Sequence, residues 1–191
     1  MKMNESELIL KAQNGDIAAF ERLIESYQQG VFNLACRMIN NHDDAADIAQ
    51  EAFIKVYLSI SKFKGNSKFS TWIYRITTNV CLDEIKKRKK TKAFSLSENI
   101  ETDDGEISRE IEDVSANVED NLERKERNRA INDAIAKLPE NHRAVIVLRD
   151  INNMSYEEIA AALNCSEGTV KSRISRARSA LYEMLKNTEL F

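Results

Sequence analysis

Helix breakers are almost missing from this chain. Pro139 is the single proline in 191 residues, beside only five glycines. Proline and glycine interrupt helices most strongly, so nearly every stretch is free to be helical. Apolar residues recur at spacings of three and four, as one face of a helix requires. The expected fold class is all-α. This length allows one or two domains, and an apolar fraction of 42% supplies cores for them.

Residues 155–185 carry the most informative pattern. Ser155 and Glu158 make an S-x-x-E capping box, which satisfies the free N–H groups of a helix start. Ile159, Ala160 and Leu163 follow as an apolar stripe. Asn164 suits a left-handed helix end, and Ser166 caps a second helix opened by Thr169 and Val170. In that second helix Val170, Ile174, Ala177, Leu181, Met184 and Leu185 share one side, at about 100° per residue. Ser172, Ser175, Arg176 and Ser179 lie opposite, flanked by Lys171, Arg173 and Arg178. Short side chains let a helix sit deep in a groove, and arginines reach phosphates or base edges. A lone basic stripe is most often a solvated face. Behind a capped helix and a short turn, it reads instead as the recognition helix of a helix-turn-helix.

The net charge of −3 conceals a division. Residues 1–94 hold 15 basic and 11 acidic side chains, residues 95–123 hold 1 and 11, and residues 124–191 hold 12 and 9. Two mildly basic modules thus flank a strongly acidic stretch, and a nucleic-acid partner stays open although the overall balance is acidic. No apolar run approaches the ~20 residues of a membrane span. The N-terminus has no signal-peptide apolar region. Cys36, Cys81 and Cys165 are odd in number and widely spaced, which suits free thiols in a reducing cytosol. A cytoplasmic location is expected.

The chain in order gives a module over residues 1–94. Ser6 is expected to cap a short helix that Asn14 and Gly15 end. Asp16 is expected to cap a longer one with Ile17, Phe20, Leu23, Ile24, Tyr27, Val31, Leu34 and Met38 as its stripe, bent at Gly30. Asp43 is expected to cap a third, to about Ile60. That helix has two apolar faces. Ala49, Phe53, Val56 and Ile60 should face the core; Asp47, Gln50, Glu51, Ile54 and Leu58 share another side. Two readings of the second side stand open: a protein-protein interface, or cover by another helix of the same module.

A loop with Gly65 and several lysines, including Lys64 and Lys68, leads into a helix capped near Ser67 or Ser70. Phe69, Ile73, Ile76 and Val80 form its core face. Trp72, Arg75, Asn79 and Lys86 line an edge. An aromatic ring, a guanidinium, an amide and an ammonium in one stripe suit unstacked bases and a backbone, although Trp72 also fits as a core aromatic. The basic run 86–90 reads either as a phosphate-binding patch or as a solvated helix end favoured by the helix dipole.

Residues 95–120 are expected to be a flexible acidic linker. Residues 121–191 are expected to form a four-helix module, with Pro139 at a first helical position and Val145, Ile146 and Leu148 in its core. His42 and His142 are far apart in sequence, and no nucleophile elbow or Walker-type loop occurs. No catalytic residue, metal site, cofactor or small-molecule substrate is expected, and the chain does not read as an enzyme.

Two blocks together carry a resemblance to a family. Residues 47–90 contain D-x-x-Q-E-x-F and F-x-G-x-S-x-F-S-T-W-x-Y-R-I, and residues 138–181 run from LPENHRAVIVL to the helix-turn-helix. The chain resembles the extracytoplasmic-function (ECF) subgroup of bacterial sigma factors. The first block is similar to their region 2 and the second to their region 4. The resemblance implies a protein that binds RNA polymerase core and directs it to promoters. It places Asp47, Gln50, Glu51, Ile54 and Leu58 on the helix that docks on the β′ clamp coiled coil, and region 4 near the β flap. It implies that Asn79 and the 64–71 loop, with Lys64, Lys68, Trp72, Arg75 and Lys86, take a flipped base of the melted −10 element. Thr169, Lys171, Ser172, Arg173, Ser175, Arg176 and Arg178 fall where the family reads the −35 element. The acidic stretch matches the family's mobile tether. An anti-sigma factor, often membrane-bound, is an implied partner.

Two rival functions remain at this level. A helix-turn-helix repressor or activator would call for dimerisation and symmetric sites, and no dimerisation heptad is visible. A pure protein scaffold would leave both basic modules unexplained.

Overall fold

The computed structural model describes residues 3–97 and 118–186, which hold helices and no strand. The chain divides into two compact units, Met1–Glu106 and Ile107–Phe191.

The first unit comprises α1 (Glu5–Gln13), α2 (Ile17–Glu25), α3 (Gln28–Ile39), α4 (His42–Ser59), a 3-10 turn (Ile60–Lys62) and α5 (Phe69–Ser97). Helices α3, α4 and α5 pack on one another, while α1 lies against α2 and the 3-10 turn. Leu23, Val31, Leu34, Met38, Ile48, Val56, Ile73 and Val80 make the core. Thr77 and Thr78 are fully buried there, each hydroxyl donating to the carbonyl one turn earlier, so neither leaves an unmet polar group.

Several expected helix ends move. Asn4, not Ser6, caps α1, in a reciprocal box with Glu7. Asn41, not Asp43, caps α4 and accepts from the N–H groups of Asp43 and Asp44. It follows Asn40, whose left-handed backbone (φ 59°) ends α3, so one asparagine closes a helix and the next opens another. The long second helix is two helices, broken at Ser26–Tyr27 rather than bent at Gly30. Gly30 lies inside α3 where α5 comes close: a Cβ there would meet the Tyr74 hydroxyl at 2.5 Å. The stripe also begins later than expected, because Ile17 is exposed. In α4, Ile48 and Ala52 take core places, and Phe53 is only half-buried.

The second unit comprises α6 (Val118–Ala136), α7 (Glu140–Ile146) continuing into a π turn (Val147–Ile151), α8 (Tyr156–Ala162) and α9 (Glu167–Leu185). Pro139 stands one place before α7, as its N-cap. Helix α9 packs on α6, α7 and α8. Its Val170, Ile174 and Ala177 are buried with Leu138, Val145, Ile146, Leu148, Met154 and Ile159. Further along, Met184 and Tyr182 are exposed.

Helix thus occupies both margins of the stretch expected as linker, because α5 runs on to Ser97 and α6 starts at Val118. Its centre, 98–117, lies outside the described residues.

Candidate docking and nucleic-acid interfaces

Helix α4 presents the side that the sequence leaves unexplained. Ala45, Ile48, Ala49, Ala52 and Val56 turn inward. Asp47, Gln50, Glu51, Ile54 and Leu58 are all exposed, with Ile54 at 59% and Leu58 at 71%. Among the described residues no helix of the unit covers them, which counts against the reading of cover by another helix. Two large aliphatic side chains one helical turn apart, flanked by carboxylates and an amide, form a half-apolar, half-acidic surface. Glu51 pairs with Lys55 at 2.7 Å on the surface, an interaction worth about 0.3–0.5 kcal/mol that a partner can displace cheaply.

Helix α5 and the loop before it form a second surface. Gly65 takes φ +72°, so the loop turns through a conformation that favours glycine. Lys64, Lys68, Arg75, Asn79 and Lys86 are exposed, and Trp72 is half-buried. The indole packs against Phe63 and Phe69, with centroids at 5.2 and 5.6 Å. Trp72 therefore rests one side on the core edge, and the remainder stays accessible. The basic run is more engaged than it looks in sequence. Lys86 lies 3.6 Å from Asp83, and Lys87 lies 3.7 Å from Glu84. Arg88 reaches Asp44 of α4 at 2.8 Å and Glu84 at 2.9 Å, a cross-helix tie that holds its pKa above the usual value.

The helix-turn-helix matches its sequence signals closely. Ser155 and Glu158 exchange capping bonds, Ser166 accepts from the Thr169 N–H, and Asn164 is left-handed at φ 49°. On α9, Lys171, Ser172, Ser175, Arg176 and Arg178 are exposed, while Thr169 and Arg173 are half-buried. Thr169 shares a hydrogen bond with Ser166, and the Ser172 hydroxyl donates to the Thr169 carbonyl. These short hydroxyls fold back on their own helix, leaving a low surface beside Arg176. Sequence reasoning missed the π turn's part. Its Arg149 lies over the Tyr156 ring at 4.8 Å, and Lys171 approaches the same ring at 5.8 Å. Asp150 accepts from Arg178.

Among the described residues, no group of three or more His, Cys, Asp or Glu side chains could hold a metal ion. No described helix is long and apolar enough to cross a membrane.

The described residues thus form two helical units that carry an exposed apolar-acidic helix, an aromatic-basic edge and a basic helix-turn-helix, and the last places the chain in the class of helix-turn-helix DNA-binding proteins. Comparison with known proteins agrees. The Sigma-70 region 2 profile matches residues 23–91, and the Sigma-70 region 4 profile matches residues 128–181. The chain is 39% identical over 187 residues to the ECF RNA polymerase sigma factor SigW of Bacillus subtilis, covering 98% of this chain and 100% of SigW. It is 36% identical over 180 residues to the ECF RNA polymerase sigma-E factor of Escherichia coli, covering 94% and 93% of the two chains. Among solved structures, the sigma factor RpoE of Bartonella quintana, in complex with the anti-sigma factor NepR, matches with a TM-score of 0.69 at 25% identity, over 89% of this chain and 98% of that one. The chain belongs to the ECF sigma factors of the sigma-70 family. Its function is promoter-specific initiation of transcription with RNA polymerase.

Proposed function

We propose that the two units divide the work of initiation. The first docks on polymerase core and takes the −10 strand; the second reads the −35 element. Asp47, Gln50, Glu51, Ile54 and Leu58 form the core-binding face. The observation that carries this is the exposure of Ile54 and Leu58 beside carboxylates, on a helix whose other large aliphatic side chains, Ile48 and Val56, are inside. Exposed aliphatic pairs of this kind mark interaction surfaces.

Trp72 and Asn79 lie one above the other along α5 and offer an aromatic face and an amide to an extruded base, with Lys64, Lys68, Arg75 and Lys86 nearby for the backbone. On α9, Arg176 sits at the centre of the polar face for a base edge, with Ser172 and Ser175 beside it. Thr169, Lys171, Arg173 and Arg178 serve phosphates towards its margins. The acidic segment serves as a tether between the units. The protein acts in the cytoplasm as a non-catalytic subunit, and an anti-sigma factor is its natural antagonist; the Bartonella relative's complex with NepR supports that class of partner.

Glu51→Lys tests the docking face. It should weaken binding to core polymerase while leaving far-UV circular dichroism intact. Unchanged affinity with an intact fold would reject the assignment.

A further inference from the structure

Gln13 belongs to none of these interfaces, yet its side chain ends on the segment that leads into one of them. It sits half-buried in the last turn of α1. Its amide nitrogen donates to the carbonyls of Ile60 at 3.1 Å and Phe63 at 2.8 Å. A side-chain amide carries two N–H donors, so both are spent there. The Phe63 N–H in turn donates to the Ile60 carbonyl at 3.0 Å, and the Phe63 ring meets Phe69 at 5.4 Å and Trp72 at 5.2 Å.

Beyond Phe63 the chain runs without regular structure to Phe69, carrying Lys64 and Lys68. Its entry is fixed by Gln13. Its exit is fixed by Phe69, whose ring packs on Tyr27 at 5.4 Å. Tyr27 donates its hydroxyl to Glu5 at the other end of α1. Burial, and next that carboxylate, push the phenol pKa up. One short helix therefore holds both ends of the loop.

We infer that Gln13 is a positioning residue for capture of the unpaired promoter strand. By fixing the Phe63 main chain it sets the indole of Trp72 and the loop lysines in one arrangement before DNA arrives, which lowers the ordering cost of binding. The inference rests on the reading that this loop and α5 take the −10 strand. The competing view is that Gln13 only satisfies carbonyls left over at a helix end.

Gln13→Met keeps the reach and removes both donors; Gln13→Lys restores a donor. Trp72 is the only tryptophan in the chain, so its emission reports the loop directly in the free full-length protein. Gln13→Met should red-shift that emission, and Gln13→Lys should return it. On assembled holoenzyme, Gln13→Met should weaken binding of a short randomised single-stranded DNA by about tenfold, with core affinity unchanged. Unaltered emission and DNA binding would overturn the inference. So would a parallel loss of core affinity, DNA binding and thermal stability in both variants, since that is the signature of a fold contact alone. Shifted emission with no single-stranded DNA bound even by wild-type holoenzyme would remove the −10 reading, and the positioning role with it.

Discussion

Arg178 donates through Nε and Nη2 to the two carboxylate oxygens of Asp150, tying the recognition helix to the π turn. The fork holds the guanidinium plane in one orientation at the margin of the polar face. It also sets a carboxylate where DNA phosphates are expected.

Asp150→Asn should therefore raise affinity for duplex DNA of any sequence and steepen the salt dependence by up to about one phosphate contact. Stability should change little, since a surface pair of this kind is worth about 0.2–1 kcal/mol. Titrations at two salt concentrations check this. Arg178→Ala added to Asp150→Asn should abolish the gain, and weaker binding by Asp150→Asn alone would contradict the account.

Arg176 is exposed and central where Arg178 is tethered and marginal. Arg176→Ala should cost about 1–3 kcal/mol of discrimination at one base pair of the −35 element. Competition binding against single-base variants measures it. A uniform loss across all variants would make Arg176 a phosphate contact instead.

Gly30 gives a stability prediction whose sign depends on a neighbour. In an ordinary helix Gly→Ala stabilises by roughly 0.8–1 kcal/mol. Here the new methyl meets the Tyr74 hydroxyl, and overpacking costs about 1–3 kcal/mol. Gly30→Ala should therefore destabilise the first unit in urea melts. In a Tyr74→Phe background, where the clashing oxygen is gone, it should stabilise.

Two buried thiols predict an alkaline loss of stability. Burial pushes the Cys36 thiol up to about 11 and the Cys81 thiol up to about 12, from an ordinary 9.0. Both are protonated in the fold at pH values where an unfolded chain has begun to ionise. Their contribution is fully present below 9.0 and is lost as pH rises through about 11 and about 12. Urea midpoints should fall above pH 9.0, and Cys81→Ala should flatten that decline. The half-buried Cys165 should be alkylated first under native conditions.

Local chemistry made the helix-turn-helix legible. Its three signals, the Ser155–Glu158 box, the left-handed Asn164 and the Ser166 cap, each depend on residues within one turn, and each holds. The second face of α4 was legible for the same reason: helical period alone separates Ile54 and Leu58 from the core side. The break at Ser26–Tyr27 was hidden because apolar spacing runs through it without a gap. Gly30 looked like a bend because its cause, Tyr74, is distant in sequence. Gln13 bonds across 47 and 50 residues, and Arg178 across 28. No local pattern encodes such contacts; only packed helices bring them together. The reading of the basic run missed Asp44 for a related reason, since it lies on another helix, whereas its other partners, Asp83 and Glu84, stand three and four places back on α5 itself, where helical spacing alone pairs them.

Run-off transcription with purified core polymerase tests the central claim most directly: that this chain makes core polymerase promoter-specific through an α4 dock and an α5 strand-reading edge. Discrete transcripts should appear only when the chain is added. Glu51→Lys should abolish them and Asn79→Ala should reduce them, with loss of permanganate reactivity in the melted region. The account would be contradicted if core gave no new transcript with the chain present, while the chain alone bound symmetric duplex sites as a dimer.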